Sequence, residues 1–443
     1  MNRWIKIVIG LSVLSVIMLT AAWQHYVYAP LRTQAEFRSL MDDAAPILKR
    51  RKAERRVQST GFDAYKTALR SLEPRFAKLN SALLSPCEQE DLYRNWGALR
   101  LWSAWAKNRS VYDSPPSDPI LVYQETLAQF TGRPVSFEDV KAVGEAEYAA
   151  VQTELKTLQK RVLNDYNQTL DEFAVRQENF STSANDIIAR ATTTLTYIED
   201  KFADLEDFDF AAVPKGSIQT QEGYGPRYSI ASYLRNDNAM RLYWTYGRYN
   251  HMYDTMLAVH EIMPGHHLQI SMETRRACGK GPISAAIPML EGWATYAEFL
   301  ADERGLFDPP DQRLGWLDYR LMRAMRIIMD TARLEQNYTE NQAWKLWQDK
   351  MPRRLDDDFP REWARINASP HHLSYIFGSQ AILSTRQQLR QTMGLDYDEA
   401  EFHAALLNAP HKHLMFLAER LEAQIKARRL METNLENTIE TAL

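Results

Sequence analysis

The stretch Val259-His260-Glu261-Ile262-Met263-Pro264-Gly265-His266-His267-Leu268-Gln269 sets three histidines and a carboxylate around a Pro-Gly break. Imidazole and carboxylate groups suit Zn2+, and a carboxylate beside a ligand can take a proton from water that the metal activates. In the familiar helical arrangement, His-Glu-x-x-His, the two histidines stand four apart on one face. Here the fourth position after His260 is Pro264, so that spacing is not met. An unbroken helix returns His267 to the face of His260, but two turns and about 10 Å away. Pro264 removes a backbone donor and its ring clashes with the preceding turn, so the helix is expected to kink or bulge. A two-residue expansion of the turn then carries His266 to the place of the second ligand. The expected zinc ligands are His260 and His266, with His267 as the substitute, and Glu261 is the expected base. The plainer reading is a buried structural histidine beside a surface acid. The density of the cluster around one helix break outweighs it.

A His/His/Glu site takes its third ligand from another helix and leaves one position open for water. Glu291-Gly292-Trp293-Ala294-Thr295-Tyr296-Ala297-Glu298 supplies it, with room for a turn through Gly279–Pro282 before a return helix. Glu291 is the expected third ligand. Glu298, seven residues on and on the same face, is placed to hold a ligand histidine from behind.

Working outward, apolar residues recur at three-to-four spacing through Val140–Leu163 and Ala184–Phe202, and Ser136 with Asp139 reads as a helix start. Pro115-Pro116 marks a turn. Phe208 to Arg235, with Pro214-Lys215-Gly216 and Gly223-Tyr224-Gly225-Pro226, reads as a loop with one or two short strands, either a cleft wall or a connector. Helical patterning returns from Leu242 to the end. Asp356-Asp357-Asp358 reads as a solvated loop. The expected fold is therefore mainly α, a large helical domain over residues 31–443 with a central cleft and at most a few short strands. It divides into a helical part, 31–207, and a part carrying the metal site, 208–443.

Composition is that of a globular protein, with 45% hydrophobic and 25% charged residues. A net charge of -4 without any long Lys/Arg block argues against nucleic acid as a partner. Two cysteines, Cys87 and Cys278, exclude a disulfide framework, and both are expected to be free. Arg3 and Lys6 precede an apolar run, Ile7 to Trp23, that reads as an uncleaved signal anchor within residues 1–30. The domain is then expected on the periplasmic face of a bacterial inner membrane, or free in the periplasm if the segment is cut. No cysteine follows the run closely, which argues against a lipid anchor.

The His260–Gln269 and Glu291–Glu298 stretches resemble the bacterial domain-of-unknown-function family numbered 885. The resemblance continues through Arg323-Ala324-Met325-Arg326-Ile327-Ile328-Met329-Asp330-Thr331, Ser374-Tyr375-Ile376-Phe377-Gly378, Arg386, Gly394 and Phe402–Leu407. It implies an all-helical, zincin-like metallopeptidase fold. One departure stands out. Members usually continue after the Asp330-Thr331 match with Gly, an aliphatic residue and His, where this chain has Ala332, Arg333 and Leu334.

Together these readings point to zinc held by His260, His266 and Glu291, with Glu261 moving the proton during attack of water on a carbonyl. Tyr375, at a helix start near Pro370, is the candidate donor to the oxyanion. Arg386 is the candidate for binding a substrate carboxylate, with a surface salt bridge as the equally weighted alternative. His371 and His372 could line the cleft but read as exposed loop residues, and His403 reads as a structural hydrogen-bonding residue. The leading function is hydrolysis of short peptides. The alternatives are a metal-dependent amidase on a cell-wall or other non-peptide amide, and an inactive membrane-tethered binding protein.

Overall fold

The computed structural model describes residues 28–54, 62–85, 135–203, 213–225, 229–274, 287–351, 358–368, 370–408 and 417–426, with isolated positions elsewhere. The chain falls into two compact units, residues 1–115 with 426–443, and residues 116–425. In the first unit, α1 (Ala29–Glu54) packs on α2 (Phe62–Lys78), and Arg75 donates to Asp43 between them at 2.7 Å. The run Ile7–Trp23, Cys87, Pro115-Pro116 and Cys278 lie outside the described residues. No helix among the described residues is long and apolar enough to cross a membrane.

The second unit opens with α3 (Phe137–Tyr166). Ser136 Oγ accepts from Asp139 N, and the Asp139 carboxylate accepts from Ser136 N, the reciprocal cap its sequence announces. A short α4 (Leu170–Ala174) and β1 (Phe180–Ser181) lead to α5 (Ala184–Phe202). On α5 the residues Ile187, Ala191, Leu195, Ile198 and Phe202 form one buried stripe at helical spacing.

Three strands follow, β2 (Ser217–Glu222), β3 (Ala231–Leu234) and β4 (Ala239–Trp244). β4 is central, parallel to β2 and antiparallel to β3, and β5 (Tyr249–Asn250) pairs with β1. Helix was expected again from Leu242. Instead a turn through Arg235–Asn238, with Asn238 at φ 49°, reverses the chain, and Leu242, Tyr243 and Trp244 stay extended. Bulky aromatic residues suit a pleated surface with a neighbour on either side.

Further helices are α6 (Asp254–Glu261), α7 (His266–Thr274), α8 (Ile287–Glu303), α9 (Pro310–Glu335), α10 (Glu340–Lys350), α11 (Asp358–Ala368), α12 (Leu373–Met393) and α13 (Glu399–Asn408). Helices from before residue 208 pack against elements that follow it. α3 lies along α9, where Arg320 donates to Glu147 at 2.7 Å and to Glu154 at 2.6 Å, and α5 packs on α6 and β2. Leu155, Leu195, Trp293 and Trp316 share one core, so the apolar faces of the early helices are buried by the later ones.

α8 and α12 make the closest crossing near the site. A Cβ on Gly292 would stand 2.5 Å from Gly378 Cα, and one on Gly378 would stand 2.0 Å from Pro288 O. Only hydrogen side chains permit this approach, which brings Glu291, beside Gly292, up to the start of α12. Gly378→Ala is expected to destabilise the protein by about 1–3 kcal/mol, the usual cost of overpacking a tight contact. Urea unfolding measures it; an unchanged midpoint would show that the crossing tolerates a methyl group.

Candidate metal centre

The site is built at the end of a helix that has no solvent face. Every residue of α6 is buried. Its entry is pinned by Asp254, whose carboxylate accepts from Tyr249 Oη at 2.7 Å and from His251 Nδ1 at 2.6 Å. Its exit is the Ile262–Gly265 turn. Ile262 leaves helical geometry at φ -112°, ψ -83°, and the amides of Ile262 and Met263 both donate to Ala258 O, at 2.8 and 3.1 Å. The Met263–Pro264 peptide is cis. Gly265 then passes so close to the end of α6 that a Cβ would lie 1.9 Å from His260 O. Trp293 Nε1 of α8 donates to Pro264 O at 2.8 Å, tying the turn to the next helix.

The break is thus complete, two helices in place of one kinked helix. It returns His266 against His260, with ring centroids 4.9 Å apart at 82°. Glu291 reaches the pair from α8. Its Oε2 lies 3.5 Å from His260 Nε2 and 3.4 Å from His266 Nε2. One ligand atom from each of the three residues falls within 4.8 Å of the others.

His267 is turned away. Its Nε2 donates to Pro214 O at 2.6 Å and its Nδ1 accepts from Tyr233 Oη at 2.8 Å. Both ring nitrogens are therefore occupied by the segment before α6. That segment also supplies Tyr224, Ser229 and Ile230 to the cavity, so it is a wall and more than a connector.

The donor set fits zinc. A tetrahedral ion with bonds of about 2.0–2.1 Å separates its ligands by about 3.3 Å, close to the two distances measured to Glu291 Oε2. That oxygen and His266 Nδ1 are buried without a hydrogen bond. His260 donates from Nδ1 to Glu298 Oε1 at 2.8 Å, which leaves Nε2 directed at Glu291 and His266. Burial works to lower the His260 pKa, but the carboxylates of Glu291 and Glu298 outweigh it and raise the imidazole to about 9. A divalent cation would replace the Nε2 proton that this value describes.

Behind His260 stands a buried ion pair. Arg323 of α9 donates to both oxygens of Glu298, at 2.7 and 2.8 Å, and Trp316 Nε1 adds a third bond at 3.2 Å. Burial raises the Glu298 pKa, yet Arg323 and His260 prevail and bring it down to about 2.

A cavity of about 320 Å³ adjoins the cluster, lined at this end by His260, Glu261 and Tyr375. The Tyr375 ring lies 6.0 Å from that of His260, and its phenol is pushed up by burial and by Glu291, against the lowering effect of nearby arginines. His371, read from sequence as an exposed loop residue, instead places Nε2 3.1 Å from Glu291 Oε1. His372 is fully buried with Nε2 3.0 Å from Asp330 Oδ2. Their place after Pro370 and just before Tyr375 was the signal available. His403 meets Tyr296 Oη at 2.8 Å in the core, a structural bond as expected.

Arg386 requires correction. Its guanidinium donates to Glu303 at 2.7 and 3.0 Å and to Glu399 at 2.5 Å, tying α12 to α8 and α13, and it does not line the cavity. The arginines that do line it are Arg248, Arg323, Arg326, Arg361 and Arg365, of which Arg323, Arg326 and Arg365 act on the Tyr375 phenol. Leu334 packs in an apolar cluster with Val140, Leu373 and Ile376 and is likewise absent from the cavity wall.

The sequence profile of the family described as "Bacterial protein of unknown function (DUF885)" matches residues 27–417. No curated protein matches the chain. Among solved structures it is similar to a candidate lipoprotein from Colwellia psychrerythraea, at TM-score 0.59 and 20% identity, over 82% of this chain and 66% of that one. A candidate lipoprotein of unknown function from Shewanella oneidensis matches at TM-score 0.54 and 18% identity, over 82% of this chain and 73% of that one. These likenesses show the fold. The chain spans just under two thirds of the length of the first of them. Trypanosoma cruzi metallocarboxypeptidase 1 aligns at TM-score 0.41 and 12% identity, over 91% of this chain and 99% of that one, a likeness too distant to carry an argument.

Glu298 gives the centre a pH signature. Its folded-state pKa of about 2 lies below the ordinary 4.5, so its stabilisation is complete above about pH 4.5 and is lost as pH falls toward 2. In chelator-treated protein, Glu298→Gln is expected to flatten the loss of stability across that window. An acid limb of unchanged slope in the variant would contradict the ion-pair account.

Proposed function

We propose that this chain, which belongs to the bacterial DUF885 family, is a zinc-dependent hydrolase that cuts peptide bonds in short peptides. The observation that carries the reading is the convergence of His260, His266 and Glu291 beside a cavity on whose wall Glu261 also stands. His260 and His266 through Nε2, and Glu291 through Oε2, would hold the ion. Zinc bound there supplies a Lewis acid that brings the pKa of water to about 7 and polarises a carbonyl.

The chain's own residues do the rest. Glu298 and Arg323 fix the tautomer and orientation of His260. The Glu261 carboxylate takes the proton of the attacking water and passes it to the departing amine nitrogen. The Tyr375 phenol, which stays protonated through the neutral range, donates to the carbonyl oxygen as it gains charge. A cavity of about 320 Å³ is at the small end of ligand pockets and favours short peptides over folded chains. We also assign the domain to the outside of the cytoplasm. Arg3, Lys6 and the apolar run after them support this, as do the two structurally similar proteins described as candidate lipoproteins.

Purified protein starting at Leu31 is expected to hold one zinc per chain. His260→Ala should lose it, while Glu261→Gln should keep it and lower kcat/KM on short peptides by about 10²–10⁴-fold. Absence of zinc after reconstitution, or full activity in Glu261→Gln, would overturn the reading.

A further inference from the structure

We infer that His371 is a positioning residue of the metal centre. Its Nε2 proton holds Glu291 Oε1, so the carboxylate offers a metal Oε2 alone and one coordination position stays open for water. This rests on the zinc reading of the site.

The two oxygens of Glu291 have different neighbours. Oε2 stands 3.5 Å from His260 Nε2 and 3.4 Å from His266 Nε2, and it has no hydrogen bond. Oε1 lies 3.1 Å from His371 Nε2. An ionised carboxylate only accepts, so the imidazole nitrogen of that pair carries the hydrogen. The group of ligand atoms within 4.8 Å of one another consists of His260, His266 and Glu291, and His371 stands outside it. His371 does not line the cavity either. It therefore acts through Glu291, and not on a metal or a substrate.

The backbone explains why the ring is there. Pro370–His372 is one 3-10 turn before α12, and its two histidines face different helices. His371 reaches Glu291 on α8, while His372 places Nε2 3.0 Å from Asp330 Oδ2 on α9. Ser374 Oγ donates to His371 O, closing the turn. The His371 ring meets Tyr375 edge-on, with centroids 5.7 Å apart at 87°, and Tyr375 in turn lies 6.0 Å from the His260 ring. The Gly292–Gly378 contact fixes α12 on α8 one residue from Glu291. The turn is thus clamped between two helices with its first imidazole at Oε1.

A carboxylate free at both oxygens can close on zinc through both, filling the position that a catalytic site keeps for water. A charge-assisted bond to one oxygen opposes this and fixes the carboxylate plane.

Two variants separate the donor from the ring. His371→Gln keeps an N–H donor without the aromatic packing, and His371→Phe keeps the ring without the donor. Zinc affinity is measured by competition with a chelator. X-ray absorption at the zinc edge counts imidazoles and total ligands in the unmodified protein and in both variants. The unmodified protein is expected to show two imidazoles in a four-coordinate site. His371→Phe should bind zinc about 10–100-fold more weakly and with about five ligands, as Oε1 turns to the metal. His371→Gln should stay close to the unmodified protein in both respects. Three imidazoles in the unmodified protein would make His371 a ligand and overturn the inference, whether or not the variants fold. So would unchanged affinity in His371→Phe, or a loss in His371→Gln that equals it. Zinc bound with the expected differences but no peptide cleaved would sink the hydrolase and keep the positioning role. No zinc in the unmodified protein would sink both.

Discussion

The Ile262–Gly265 turn is the constraint on which the centre depends. A buried helix must end at Glu261 and the chain must double back within four residues, so that two imidazoles from successive helices face each other. Gly265 makes this possible because the carbonyls of Val259 and His260 occupy the space where any Cβ would sit. Trp293 then ties the carbonyls of the turn to α8, the helix that carries both Glu291 and Glu298. One local backbone solution therefore sets the second histidine and anchors the helix of the proposed third ligand. The Gly292–Gly378 crossing extends the same placement to His371 and Tyr375.

Electrostatics completes what the backbone positions. His260 lies between Glu291 and Glu298, two carboxylates with almost no access to water, and Arg323 balances the outer one. Burying such charges costs several kcal/mol each unless they are paired and hydrogen-bonded, and removing one partner is costlier than removing both. That arrangement is a weak device for stability and a strong one for orientation. It holds an imidazole nitrogen toward a point where positive charge is favourable. The proposed chemistry asks for that preorganisation.

Much of this was legible in the sequence because it is local. Proline at the fourth position after His260 forces a break, and only two residues of extra turn are needed to bring His266 round. Glu291 and Glu298, seven apart, must share a helix face, so Glu298 behind His260 follows once Glu291 is in front. What was not legible depends on partners distant in the chain. Arg386 looks the same from sequence whether it meets a substrate or Glu303 and Glu399. His371 and His372 follow a proline and look exposed until α8 and α9 close over them. Helical periodicity shows which face of α3 is apolar but not that α9 covers it, and hence not where the units divide. At Ala239–Trp244 a run of apolar and aromatic residues suits either period, and the Asn-rich turn before it was the signal for a strand.

The most direct measurement is anomalous diffraction at the zinc edge from crystals of the reconstituted protein. The account predicts one peak per chain at about 2.0–2.2 Å from His260 Nε2, His266 Nε2 and the Glu291 carboxylate. No peak there, or a peak bound by His267 in place of His266, would contradict it.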